Sequence, residues 1–156
     1  MLVPLLILLA ADQTEGALSR PLLPDPPVYV LGAPSAKEVQ KARLEALRSG
    51  AALAGVHRSL KKVSKRGEWR MLPNNGPWIW RLKVVSTGAA SLRLHSITAH
   101  PAIRLQSPGE NTPAEWTGEW SALVFGDSAL LTYEPADGKK SKRLPFTIDK
   151  LSHQIR

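Results

Sequence analysis

The chain has 156 residues, with 21 Lys and Arg against 13 Asp and Glu for a formal net charge of +8, and it contains no cysteine. That length fits one domain with a short extension; 43% hydrophobic residues suffice for a core, and 13 prolines work against long helices. Disulfide frameworks and thiolate metal sites are excluded, and the basic balance admits anionic partners without choosing among them.

Leu2 to Ala11 (LVPLLILLAA) is a continuous apolar run. It is too short to cross a bilayer and matches the h-region of a secretory signal, with the small Ala11 before Asp12 as a cleavage point. No Lys or Arg precedes it and Pro4 interrupts it, yet export to a secreted or periplasmic location is expected, with no transmembrane span. Residues 12–34 are proline-rich and read as linker, with Val28 to Leu31 a short edge strand. Ser35 followed by Glu38 forms a capping box, Gly50 is placed to stop the helix, and Val39, Ala42, Ala46 and Leu47 mark a narrow apolar stripe. The spacing predicts a surface helix covering one edge of a sheet.

Strand patterns follow: 52–60, 69–72, 102–106, 121–125, 129–134 and 144–151, with turns at 73–77, 126–127 and 137–138 and a loop over 107–118. The strongest stretch is 78–97. Trp78, Trp80, Leu82 and Val84 share one face against Arg81 and Lys83, and Leu92 and Leu94 alternate with Ser91, Arg93 and His95. Gly88 lies in the turn between these two strands, and the rest of the sheet is expected to be laid against the pair. Short strands at this spacing predict a mainly β fold, an antiparallel β-sandwich of jelly-roll type with one short amino-terminal helix. The expected division is a signal segment over 1–11, linker and capping helix over 12–50, and the sandwich over 51–156.

Gly55-Val56-His57-Arg58-Ser59-Leu60, Gly67-Glu68-Trp69, Trp80-Arg81-Leu82, Ser86-Thr87-Gly88-Ala89 and Ser91 to His95 resemble a known pattern. It is the non-catalytic amino-terminal region of secreted bacterial trypsin-like serine endopeptidases of the lysyl endopeptidase type. Trp120-Ser121, Phe125 to Ser128, Leu131 to Pro135 and Phe146 to His153 continue the resemblance, which covers residues 51–156. The segment between His95 and Trp120 is shorter and more irregular than in the family, and the chain stops where the protease would begin. The resemblance implies an accessory domain, a fragment or paralogue without the protease, partnered by a trypsin-like protease domain in cis or in trans.

Catalysis within the chain is not expected. Ile97-Thr98-Ala99-His100 and Gly126-Asp127-Ser128 look like pieces of a trypsin-like site, but so short a separation leaves no room for the converging elements a triad needs. His57, His95, His100 and His153 form no metal-ligand spacing, no glycine-rich phosphate loop occurs, and no cofactor is expected.

Five tryptophans and two basic clusters remain. Trp69, Trp78 and Trp80 fall on strands as core candidates, whereas Trp116 and Trp120, among Glu115, Thr117 and Glu119, are candidates for exposed rings that stack on a sugar or a partner. Arg58, Lys61, Lys62, Lys65, Arg66 and Arg70 crowd one loop, and Lys139, Lys140, Lys142 and Arg143 another. As solvated hairpin tips they would be inert; if the two loops meet they form a basic patch. The candidate contact residues are therefore Trp116, Trp120, Arg58, Lys61 and Lys62. The alternative to the accessory domain is a stand-alone binder of carbohydrate or anionic surface polymer, with nucleic acid disfavoured because no aromatic ladder interleaves the charges.

Overall fold

A computed structural model describes residues 23–53, 55–98 and 102–155. The apolar run at Leu2 to Ala11, residues 12–22 of the proline-rich segment and His100 lie outside these residues.

Over the described residues the fold is mainly β, with one α-helix and two sheets. The strands are β1 (Val28–Leu31), β2 (Val56–Ser59), β3 (Glu68–Met71), β4 (Trp78–Ser86), β5 (Ser91–Ser96), β6 (Ile103–Gln106), β7 (Ala114–Glu115), β8 (Val124–Phe125), β9 (Ser128–Tyr133) and β10 (Ile148–Gln154); the helix α1 is Ala36–Ser49. One sheet has the order β1-β4-β9-β6-β7 with β3 also on β4; the other has the order β2-β10-β5-β8.

Strand β4 organises the larger sheet. Along one edge β9 pairs with residues 80–85. The opposite edge is divided: β3 pairs antiparallel with residues 78–81, and β1 pairs parallel with residues 83–86. The sheet is thus not wholly antiparallel as the sequence predicts. The parallel pair arises because α1, β2 and β3 intervene between β1 and β4, giving the crossover that a parallel pairing requires. The segment before β1 also lies along β4, Arg81 Nη1 donating to Pro24 O at 2.8 Å and Lys83 N to Pro27 O at 2.9 Å.

The expected alternation on β4 holds from Trp80 onward, since Trp80, Leu82 and Val84 are buried while Arg81 and Lys83 are not; at the start of the strand it fails, Ile79 being buried and Trp78 only half-buried. Cross-strand register then builds layers: Trp80 opposite Tyr133 opposite Ile103, and Leu82 opposite Leu131 opposite Leu105. These side chains join Leu92, Leu94, Ile148 and Leu151 of the other sheet in one buried cluster. Trp80 and Tyr133 each meet the Phe146 ring edge-to-face, at 5.6 and 5.3 Å, a geometry that favours the aromatic quadrupoles.

One expectation fails at the turn after β4. Strands β4 and β5 do not pair with each other; the connection through Gly88, at φ 78°, carries the chain from one sheet to the other. Each strand has its own apolar face, and both faces feed the same cluster, so the strands belong to different sheets rather than to one hairpin.

The helix follows its sequence signals. Ser35 and Glu38 make the reciprocal capping box, and Gly50 closes the helix at φ 67°. Val39, Ala42 and Ala46 are half-buried, but Leu47 is 77% exposed, so the stripe is narrower than predicted. No residue of α1 is fully buried; it packs on β2, an edge strand of the smaller sheet.

Candidate functional site

The two basic loops come together. Residues 61–67 contain a short 3-10 helix, Val63–Lys65, whose Val63 is wholly buried and pins the loop to the core. Gly67 then passes directly against the Trp80 indole: a Cβ built on Gly67 falls 2.1 Å from Trp80 Cζ2. The second loop, 134–147, is held at Gly138, whose carbonyl accepts from Trp78 N at 2.9 Å, and by Lys140 Nζ, 5.5 Å from the centre of the Trp78 ring. The Lys140 cation above the indole face is attracted by the ring quadrupole. Anchored in this way, the loops place Lys65 from one side and Lys142 and Arg143 from the other around a cavity of about 420 Å³.

That cavity has an apolar floor. Trp69, Trp80, Leu144 and Phe146 line it beside Gly67 and Thr147. Trp80 and Phe146 are almost entirely covered, whereas Trp69 is half-exposed and packs edge-to-face on Tyr133 at 6.0 Å. Lys65, Lys142 and Arg143 are exposed, and among the described residues no carboxylate pairs with any of them. Arg70, by contrast, is engaged by Glu68 through two 2.9 Å hydrogen bonds, which raise its pKa.

Of the five residues singled out from sequence, only Lys61 and Lys62 are exposed as expected, on the first basic loop. Trp116 is not a stacking platform; it is wholly buried in the core cluster, its backbone N donating to Ile103 O at 3.1 Å. Its flanks are polar, but two residues of β7 pair with β6 just before it and turn its ring inward. Trp120 is half-exposed and makes edge contacts with His57 and His95, at 5.2 and 4.9 Å. These two histidines stand on β2 and β5, on either side of β10, so the indole bridges three strands. His95 Nδ1 in turn meets Asp149 Oδ1 at 2.6 Å, and its Nε2 lies 3.9 Å from Glu119 Oε2. Arg58 is a strut, its Nε on Glu38 Oε1 at 3.2 Å and its Nη1 on Gly32 O at 2.6 Å. Hydrogen bonds from the Ser35 backbone and hydroxyl, together with Arg58, hold the Glu38 carboxyl below its ordinary pKa.

Ser128 is buried on β9, opposite Val85. His153 is buried, its Nδ1 2.8 Å from Ser86 Oγ; burial, then the Arg58 charge, lowers its pKa. Among the described residues no group of three His, Asp or Glu is placed to hold a metal ion, and no helix is long and apolar enough to cross a membrane. Sequence reasoning named the cations of both loops but missed Trp69 as their companion. The signal was there, because Trp69 sits two residues after Gly67 at the end of the first basic loop. Comparison of the chain with family models, curated proteins and solved structures finds no match.

Proposed function

We propose that the chain is an exported, non-catalytic accessory domain of β-sandwich, jelly-roll-like architecture that holds an anionic surface polymer beside a catalytic partner. The observation that carries the binding role is the meeting of loops 61–67 and 134–147, about 75 residues apart in sequence, at one cavity with three cations free of carboxylates among the described residues. Cations collected on one rigid surface raise the local concentration of a polyanion and speed its capture. The buried cluster shared by both sheets supports the sandwich. The resemblance of residues 51–156 to the amino-terminal region of lysyl endopeptidase-type enzymes supports a trypsin-like protease domain as the partner, in cis or in trans.

The test is retention of the purified chain on immobilised dextran sulfate. Retention should fall as salt screens the charges, and should weaken when either loop is neutralised, through Lys62→Gln with Lys65→Gln or through Lys139→Gln with Lys142→Gln. Retention that ignores both pairs of substitutions would sink the proposal. The same preparation should not hydrolyse lysyl or arginyl esters; turnover abolished by Ser128→Ala in a folded protein would overturn the non-catalytic part.

A further inference from the structure

We propose that the cavity between the basic loops is a subsite for one carboxylate-bearing sugar ring, a uronate unit of an acidic polysaccharide; this rests on the polyanion-binding role above and specifies its ligand. Bare electrostatic capture needs only surface charge, but this cavity has more. Its volume of about 420 Å³ falls within the ~300–1,000 Å³ typical of small-ligand sites, where an apolar lining carries a few polar groups that fix orientation.

Each feature suits part of a uronate. Trp69 is the half-exposed aromatic ring of the lining, steadied from behind by Tyr133. Its electron-rich face suits the C–H face of a pyranose, which a phosphate chain does not possess. Arg143 supplies the planar fork that matches a carboxylate in bidentate fashion, whereas Lys65 and Lys142 act as point charges. Thr147 adds a hydroxyl to the same lining, where a neutral sugar hydroxyl can be hydrogen-bonded, whereas Ser141 Oγ is engaged by Arg143, donating to its carbonyl at 2.5 Å and accepting from its N at 3.2 Å. A nucleic acid would call for a row of stacking rings along a cationic track; here one half-exposed indole sits among three cations. Lys142 and Arg143 follow closely on the Lys140–Trp78 contact, so the loop that carries them is positioned before any ligand arrives.

The experiment titrates the full chain with a uronate trisaccharide and with its methyl-esterified, uncharged counterpart, read by calorimetry and by tryptophan fluorescence. Binding of the acid should exceed that of the ester by about tenfold or more, and Arg143→Gln should remove most of that preference. The fluorescence change should vanish in Trp69→Phe, while Lys37→Gln, on α1 and away from both basic loops, should leave the affinity within about twofold. If Trp69→Phe fails to fold, the exposed Arg143 substitution decides alone. Equal binding of acid and ester, or an acid affinity indifferent to Arg143→Gln, overturns the subsite. Inorganic polyphosphate bound more tightly than the trisaccharide and without dependence on Trp69 overturns it as well. If the subsite fails while dextran sulfate retention persists, the polyanion role survives without it; if both fail, the proposed function falls too.

Discussion

Gly67→Ala is a sharp probe of how the first basic loop is held. Gly67 is not in the left-handed region, so added backbone strain is not at issue; the obstacle is Trp80. The new methyl would lie 2.1 Å from Cζ2, 2.2 Å from Cε2 and 2.6 Å from Nε1. Carbon atoms rest at about 3.5–4.0 Å, so ring and loop must separate by roughly 1.5 Å. The ring has little room, being 1% exposed and braced by Phe146. A local shift costs about 1–3 kcal/mol, as overpacking does. Expulsion of the indole would approach the ~3–5 kcal/mol of losing a buried Trp, a large part of the ~5–15 kcal/mol that stabilises a domain. Denaturant unfolding of Gly67→Ala, Trp80→Leu and the double variant measures the effect. Trp80→Leu is destabilising alone because it opens a cavity, but the methyl introduced by Gly67→Ala fills part of that space. The double variant should therefore be less destabilised than the sum, by ~0.5–3 kcal/mol. Additivity within about 0.5 kcal/mol, or a silent Gly67→Ala, would refute the close packing of Gly67 on Trp80.

Trp116→Ala should cost about 3–5 kcal/mol in chemical denaturation, as a wholly buried ring does, and Trp120→Ala should cost less because its ring is half-exposed. Ser35→Ala should cost about 1 kcal/mol of helix stability, seen as faster amide exchange in α1 with little change in global unfolding, because no α1 residue is fully buried. His153 has a lowered folded-state pKa, so between that value and the ordinary 6.5 the unfolded chain binds more protons. Its contribution to stability is therefore full above about pH 6.5 and declines as pH falls toward the folded value; denaturation midpoints across pH 5–8 should show a slope that His153→Gln flattens.

Local signals were legible where one element contains its whole cause. The capping box at Ser35 and Glu38, the stop at Gly50 and the alternation of Trp80, Leu82 and Val84 all stand in the structure where the sequence places them. Partner choice was not legible. A strand pattern reports that one face is buried but not which strand lies beside it. Thus β4 and β5, adjacent in sequence with a turn between them, invite a hairpin yet enter different sheets. For the same reason β1 could be read as an edge strand while its parallel direction could not, since direction depends on the crossover that α1, β2 and β3 make. Leu47 shows the limit on a helix: spacing put it on the apolar stripe, but burial reaches only the Val39, Ala42 and Ala46 side.

The tryptophans carry the same argument to the surface. Trp116 and Trp69 each stand among charged neighbours, and composition alone ranks Trp116 as the more exposed. What separates them is the hydrogen-bonded register of a neighbouring strand. Two residues of β7 on β6 deliver Trp116 into the core. The β3–β4 register puts Trp69 opposite Trp80, beside the gap between two loops. The cations show the complementary effect. Arg58 and Arg70 are drawn off by Glu38 and Glu68, which leaves Lys65, Lys142 and Arg143 without carboxylate partners among the described residues. Charge is a property of composition, whereas available charge is a property of the fold. Here the fold leaves it beside the one half-exposed indole that lines the same cavity.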